Sequence, residues 1–404
     1  MMNRNSSQRP LLVMTAGDMI QLVGGHVFSI AIATHTYSMT GAAWAYALQM
    51  LLSYLPWMLF SGIAGPIVDR LDRRQVMIVA AVSRGVLGFL YPYFTTIEPV
   101  LALNFISSTC SVFLVTARTA VIPTLAEKDA LLKVNGLRAA ATGCIDLTAP
   151  TLAGIVMGSI GTGVAFRLIG VLWFGGAVAY WLMGPVTSPR DRGQRPDAPA
   201  KRTLVSDLKG AAAFLRDQPA LVVSVAAYTI YVMGQHGTNT LFYPFVESVL
   251  GRGSELFGLS ISFYFGANLL AGLVLAKYGR ALTRIPVLFM TVPATLIWFG
   301  YSVVRSIPVI LAMGFVEGFI MSLVTTLFTT EVQSRAPVDM TGRVWGVAYG
   351  IGSGGEVIGI LLAGSIAGAS GPLAGYRVLS GLILTLAAAA YLGGRIALRR
   401  RESV

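Results

Sequence analysis

Four acidic residues lie inside long apolar stretches of the sequence: Asp18, Asp146, Glu317 and Glu356. If these stretches cross a membrane, a charge near their middle costs at least ~2.5–3.5 kcal/mol on insertion scales, so each acid is a functional candidate. Burial favours the neutral form of a carboxyl group. An acid that takes up a proton on one side of a membrane and releases it on the other can couple a process to a proton gradient. The alternative, for any one of the four, is a structural salt bridge or hydrogen bond.

Further polar and thioether side chains share helical faces with these acids. Gln21 lies on the same face as Asp18, and Met313 and Met321 flank Glu317 at a spacing of four residues. Flexible thioethers beside an acid suit varied apolar or cationic ligands. The residues that we expect to line a substrate cavity are Gln21, His26, His236, Asn239, Tyr243, Met313 and Met321. The alternative is ordinary packing of a helix bundle, in which a lone histidine bonds a neighbour.

The composition indicates the elements that position these residues. Of the 404 residues, 55% are hydrophobic and only 12% are charged, and the mean hydropathy is +0.70. Such values are typical of a membrane protein, and a bilayer needs roughly 20 apolar residues per spanning helix. The sequence therefore predicts an all-α membrane protein with twelve transmembrane helices in two pseudo-symmetric six-helix bundles.

The order of apolar and polar stretches predicts the domains. An amino-terminal six-helix bundle covers residues 1–186, a polar linker covers 187–217, and a carboxy-terminal bundle covers 218–404. Apolar residues recur at helical spacing between Leu204 and Leu215, so this part of the linker is predicted to be a helix on the membrane surface or in water. The predicted spans run 11–37, 42–64, 75–94, 99–117, 136–160, 164–183, 220–245, 256–276, 285–304, 308–329, 344–367 and 373–397.

The basic residues predict the orientation. Lys and Arg number 30, and the predicted outer side holds only Arg167, Arg252, Arg305 and Arg377, while Arg84 within the third span and Arg118 at the end of the fourth are counted on neither side. The rest lie in the linker, the termini and the loops on the opposite side, which the positive-inside rule makes cytoplasmic. This distribution argues against nucleic-acid binding despite the net charge of +12. Cys110 and Cys144 lie in apolar stretches and predict neither a disulfide nor a metal site.

A charged loop between the second and third spans occurs in two copies. The first has Gly65, Asp69, Arg70 and Arg73, in the order Gly-x-x-x-Asp-Arg-x-x-Arg-Arg. The second, 207 positions later (272 minus 65), has Gly272, Lys277 and Arg280 but Ala276 in place of the acid. The first copy resembles the loop between helices 2 and 3 of the major facilitator superfamily, except that Asp72 replaces a glycine. Two repeated halves are typical of such transporters.

Two further segments indicate a branch of that superfamily. Ala117 to Leu125, with Arg118, and Asp339 to Val344 resemble the branch that includes macrolide efflux proteins and the enterobactin exporter. The segment with Pro150 and Gly154 resembles the exporter signature Gly-Pro-x-x-Gly-Gly, with alanine at two glycine positions. A packing motif without directional meaning is the alternative. The resemblance also implies that Asp69 and Arg118 close a cytoplasmic gate.

We therefore expect a transporter of the bacterial inner membrane that exports a small amphipathic compound, a drug or a siderophore-like product, by proton antiport. Import by proton symport uses the same acids and stays open, and a non-transporting receptor is a further alternative. No nucleophile–base pair, metal cluster or phosphate loop indicates an enzyme or a cofactor. The expected partners are the substrate, protons and the lipid bilayer, without nucleic acid, and we expect a monomer.

The orientation is testable by cysteine labelling. After replacement of Cys110 and Cys144, an Arg195→Cys variant places one thiol in the linker. A membrane-impermeant maleimide should label it only after the membrane is permeabilised, because the linker is predicted to be cytoplasmic. Labelling in intact cells would contradict this orientation.

Overall fold

The structure is a computed structural model. It describes the backbone of residues 4–68, 70–125, 128–185, 204–282, 286–337 and 340–402. Side chains are described over the same ranges except at 4–8, 123–124, 128–137, 204–208, 279–282, 341–342 and 393–402. These residues form α-helices joined by short turns, with one 3₁₀ helix at Tyr91–Tyr93 and no strand in the described ranges. The all-α prediction is confirmed.

Apart from the interval between α5 and α6, few residues separate one helix from the next. In chain order they are α1 Arg4–Thr40, α2 Ala43–Val68, α3 Arg73–Leu90, α4 Ile97–Leu125, α5 Lys128–Leu182, α6 Leu204–Asp217, α7 Pro219–Ser248, α8 Ser254–Leu282, α9 Val287–Tyr301, α10 Ile307–Arg335 and α11 Thr341–Glu402.

Most of these helices have the length and apolar composition of membrane spans. Within the described residues, 8 helices are long and apolar enough to cross a bilayer, and Val287–Tyr301 is a shorter apolar helix. α5 and α11 are each two helices that meet at a kink, at Gly161 and Gly371. Counted in this way, and with α6 set aside, the described helices are consistent with the twelve predicted spans.

Four glycines with positive φ show the internal repeat directly. Gly41 and Gly251 follow α1 and α7 with φ of 62° and 61°. Gly161 and Gly371 have φ and ψ of 76° and 168° and of 79° and 167°, a region that only glycine adopts without strain. In both pairs the second glycine is 210 positions after the first (251 minus 41, 371 minus 161). The two halves therefore share one backbone plan.

The chain divides into two compact units. Unit 1 comprises 1–41, 52–198 and 252–262, and unit 2 comprises 42–51, 199–251 and 263–404. Each unit thus holds most of one half of the chain and a short segment of the other half, 252–262 in unit 1 and 42–51 in unit 2. The domain boundaries drawn from the sequence, at 186/187 and 217/218, stay a prediction.

The second part of the linker forms α6, as its helical spacing predicts. Ala211 and Leu215 on this helix are buried, and α6 packs against α7 and α11 in unit 2. Its apolar face therefore serves protein packing rather than lipid or water. The first part of the linker, residues 187–203, lies outside the described residues.

Candidate functional site

Asp18 lies at the centre of an ionic cluster in unit 1. Its side chain comes from α1, and Arg138 and Tyr180 approach it from the two ends of the kinked α5. The Nη2 atom of Arg138 is 2.6 Å from Oδ2 of Asp18, and the Tyr180 hydroxyl donates to Oδ1 over 2.8 Å. Arg118 on α4 adds a second positive charge within electrostatic range. The Asp18 carboxylate is fully buried and compensated by basic groups.

Arg138 corrects the charge count made from the sequence. That count placed it in a cytoplasmic loop, as a topology signal. In the structure it lies within α5, its side chain is 13% exposed, and it forms the ion pair with Asp18. A basic partner compensates the charge of a buried carboxylate, so Asp18 has the surroundings of a structural ion pair, and its role as a proton carrier stays a prediction.

Gln21 shares a helix face with Asp18, as predicted, but bonds a different group. Its Nε2 atom donates to the Trp173 carbonyl over 2.8 Å, and its Oε1 atom accepts from Arg84 over 3.2 Å. The Arg84 guanidinium also lies 3.9 Å above the Trp173 ring, a favourable cation–π geometry. Gln21 therefore holds α3 and α5 against α1.

His26 and Asp146 form a second pair in unit 1. Nε2 of His26 lies 2.8 Å from Oδ1 of Asp146, which is hydrogen-bond distance. The two side chains are 11% and 23% exposed. His26 thus bonds a neighbour, and that neighbour is one of the four predicted acids. A role as a proton relay stays a prediction.

Glu317 on α10 is enclosed by neutral hydrogen-bond donors of unit 2. The indole of Trp298 donates to Oε1 over 2.8 Å and the Tyr301 hydroxyl donates to Oε2 over 3.0 Å. The Gln235 side chain of α7 is a further hydrogen-bond partner. No Lys or Arg nitrogen in the described part of the chain lies within 4.0 Å of this carboxylate. Glu317 is therefore buried without a compensating charge.

The methionines beside Glu317 do not surround its carboxylate. The Met313 methyl group packs at Gly300 on α9, and Met321 accepts a weak hydrogen bond from Thr325 within α10 at 3.7 Å. Both methionines are half-buried. The structure thus shows packing contacts for this stripe, and a role in substrate binding stays a prediction.

α7 and α11 carry a third ionisable pair, in unit 2. Nε2 of His236 lies 3.7 Å from Oε1 of Glu356, and the two side chains are 11% and 9% exposed. Asn239, one turn along α7, is half-buried. Tyr243 is buried, with its ring centre 5.7 Å from that of Tyr46. The helical spacing predicted for this face is confirmed, and a substrate cavity there stays a prediction.

The exporter-like segment of α5 makes close contacts with the start of α8 inside unit 1. Ser254 donates to the Gly154 carbonyl over 3.2 Å, and Thr151 donates to the Ser262 hydroxyl over 2.8 Å. A Cβ atom at Gly154 would lie 2.5 Å from the Ser254 carbonyl oxygen. A Cβ atom at Gly258 would lie still closer to the Pro150 carbonyl oxygen. Small residues here permit helix contact, which is the packing role considered as the alternative.

The two charged loops are described only in part. Gly65 is half-buried in α2 and Arg70 is exposed, and Arg73 donates to the Ala120 carbonyl over 3.0 Å. Asp72, where the superfamily pattern has glycine, caps α3 by accepting from the backbone of Arg74 and Gln75. A capping acid needs no glycine-like backbone, and its φ of −67° is ordinary.

The gate residues fall at the limits of what the structure describes. Asp69 lies outside the described residues, and so does the side chain of Arg280. Gly272 is an exposed position within α8. Arg118 is half-buried and acts on Asp18. The contact between Asp69 and Arg118 stays a prediction.

Several residues of these clusters were missed from the sequence. Trp298, Tyr301 and Gln235 are typical of apolar helices and carry no signal by themselves. Arg138 is conspicuous in the sequence, but a basic residue near a predicted helix end can indicate either membrane topology or an ion pair. The ion pair becomes visible only in the fold, because Asp18 lies more than a hundred residues before Arg138 in the sequence.

Membrane-length helices, internally repeated and carrying buried ionisable pairs, define a transport protein rather than an enzyme. The sequence model of the Major Facilitator Superfamily matches residues 14–360. The chain belongs to the major facilitator superfamily.

Characterised relatives and solved structures agree with this assignment. The chain is 26% identical over 368 residues to macrolide efflux protein A of Streptococcus pyogenes, covering 86% of this chain and 87% of that one. It is 22% identical over 382 residues to the multidrug efflux pump Tap of Mycobacterium bovis, covering 91% and 89%. A crystal structure of a variant of the nucleoside transporter NupG superposes with a TM-score of 0.80 at 11% identity, covering 94% and 98%. This last likeness shows the fold alone.

The Asp18–Arg138 ion pair predicts strong non-additivity. Asp18→Asn or Arg138→Gln leaves one buried charge without its partner, and such a change costs about 3–5 kcal/mol. The double variant removes both charges and should lose far less than the sum of the single effects. Thermal unfolding of the purified protein in detergent measures this. The exposed pair Arg216–Asp217, 80% and 68% exposed, is the control and should change stability by less than about 1 kcal/mol. Additive effects at Asp18 and Arg138 would contradict the pairing.

Proposed function

We propose that this protein exports a small amphipathic compound, a drug or a siderophore-like natural product, from the bacterial cytoplasm in exchange for protons. It would do so in the inner membrane, as a monomer with both termini in the cytoplasm and with alternating access to the two sides. The efflux functions named for its relatives in Streptococcus and Mycobacterium and the distribution of basic residues support this proposal.

The surroundings of Glu317 carry the proton-coupling part of the proposal. This carboxyl group is buried in the middle of α10 and meets only neutral donors. A charge held there without a counter-charge is costly, whereas a protonated carboxyl group is not. We therefore expect Glu317 to bind a proton when the site is closed to water and to release it when water or a cationic substrate enters.

The four acids differ in what compensates them, and this orders their proposed roles. Glu317 and Asp146 are the leading proton carriers, one in each unit. Asp18 is compensated by Arg138 and is proposed to hold the helices of unit 1 in register. Glu356, beside His236, is the remaining candidate proton carrier.

Removal of the carriers should uncouple efflux. Glu317→Gln and Asp146→Asn keep size and hydrogen bonding but cannot release a proton near neutral pH. Each should lower gradient-driven export of radiolabelled erythromycin at least about tenfold, while downhill exchange survives because it needs no net proton movement. Accumulation in cells, with and without a protonophore, measures the first quantity, and counterflow in proteoliposomes measures the second.

The control for this experiment is Glu247→Gln, which alters an exposed acid at the end of α7 and should export normally. Full protonophore-sensitive efflux in both carrier variants would refute their role. Accumulation of a siderophore or antibiotic driven inward by the gradient would indicate import by symport instead of export.

A second proposal concerns the loop between α2 and α3. We propose that Asp69 and Arg118 hold the cytoplasmic side closed when the outer side is open. Asp69→Asn should abolish transport and leave membrane insertion intact, as measured by erythromycin efflux and by surface expression. The control is Asp72→Asn, which removes the same charge three residues away and keeps a residue that caps helices equally well. Equal transport in the two variants would contradict the gate.

A further inference from the structure

The repeat seen in the backbone also relates the two histidine–acid pairs. His236 is 210 positions after His26, and Glu356 is 210 positions after Asp146. This is the interval between the positive-φ glycines that end α1 and α7 and that kink α5 and α11. The pairs therefore occupy equivalent places, with the histidine on α1 or α7 and the acid on α5 or α11.

At this interval Arg167 also matches Arg377 and Lys133 matches Arg343, whereas five other charged residues have no charged counterpart. The positions equivalent to Asp18, Arg84 and Arg118 hold Tyr228, Ala294 and Phe328, and the position equivalent to Arg138 holds Ala348. The position that precedes Glu317 by the same interval holds Ser107. The two halves have thus diverged at these five charged positions and kept both the histidine and the acid of the pair. The chain contains only 3 histidines, so composition alone does not account for this match.

The contact geometry is also shared. In both pairs the Nε2 atom of the imidazole faces a carboxylate oxygen, at 2.8 Å in unit 1 and at 3.7 Å in unit 2. The first distance is that of a hydrogen bond, and the second is within ion-pair range but too long for one. The imidazole and the carboxylate are therefore in hydrogen-bond contact in the first pair and farther apart in the second.

The net charge of each pair, before and after it binds a proton, indicates what the pair can do. A neutral imidazole beside an ionised carboxylate carries one negative charge, and one added proton makes the pair neutral whichever group holds it. Neutrality is strongly favoured within a membrane protein. A histidine–carboxylate pair is thus a one-proton site whose charge changes by one on loading.

In the described parts of the helices around the two pairs, the charged groups named below have other partners and the nearby phenols are neutral. On the helices that pack around the first pair, Arg118 and Arg138 act on Asp18. Around the second pair, Glu317 is bonded by Trp298 and Tyr301. The phenols of Tyr228 and Tyr349 lie within electrostatic range of Glu356 and are uncharged near neutral pH.

We propose that His26–Asp146 and His236–Glu356 are two copies of one proton-binding site, and that a transport cycle loads and empties both. This rests on the proton antiport proposed above and adds to it a second, symmetry-related site that includes both histidines. Glu356 in unit 2 is then the counterpart of Asp146 in unit 1.

Nuclear magnetic resonance tests the sites without any substrate. The full-length protein, labelled with ¹³C in its histidine rings and placed in lipid nanodiscs, should give three ring signals, assigned by His→Gln substitution. Asp146→Asn should shift the titration midpoint of His26 by about one pH unit or more, a tenfold change in proton affinity, because a charge at this distance acts by that amount. Glu356→Gln should shift that of His236, by less because the atoms are 3.7 Å apart.

His35 is the internal control. Its ring packs edge-on against Phe166 at 5.3 Å, so neither variant should move its titration. Each variant should also leave the histidine of the other unit unchanged. A midpoint that fails to move in either pair overturns the two-copy site, whether or not the protein transports erythromycin.

Proton counting tests the use of the sites. In liposomes that contain a trapped pH dye, the protons moved per erythromycin should fall in each single acid variant, Asp146→Asn and Glu356→Gln, and should fall further in the double variant, where Glu317 is the remaining proposed carrier. An unchanged ratio in either single variant overturns the proposal. Coupled titrations together with erythromycin efflux that moves no protons would instead refute the antiport proposed above, and with it the transport role of the pairs.

Discussion

The constraint on which the rest of this structure depends is the poor solvation of charge inside a membrane protein. Each of the four acids in the described helices meets it in one of three ways. Asp18 has a basic partner, Glu317 has a shell of neutral donors, and Asp146 and Glu356 each have an imidazole. These solutions have different consequences, because only a group without a permanent counter-charge is free to exchange its proton.

Much of the architecture could be predicted because lipid imposes it on the sequence. Apolar length predicts the helices, and the breaks between the predicted spans 136–160 and 164–183 and between 344–367 and 373–397 fall beside Gly161 and Gly371, where the backbone bends. The acids could also be found, because a charge in an apolar stretch is conspicuous. Their partners could not, since a tryptophan, a glutamine or a helix-end arginine is unremarkable until the fold places it beside an acid.

The interval between the two halves shows why the paired histidines escaped notice. The charged loops match at an interval of 207, and this would place Met233 opposite His26 and Ser353 opposite Asp146. The backbone gives 210, three residues more, which aligns both histidines, both acids and also Arg70 with Arg280. Short loop motifs tolerate shifts of this size, whereas a glycine that must adopt positive φ fixes the register.

The same glycines have a genetic consequence. Every single-base change that alters the meaning of a glycine codon introduces a residue with a Cβ atom or a stop codon. At Gly41, Gly161, Gly251 and Gly371 a Cβ atom meets open space, yet the positive φ strains any residue that carries one. Missense changes at these four codons should therefore destabilise the protein although no contact, charge or ligand is touched. A survey of loss-of-function alleles would show them as isolated intolerant positions.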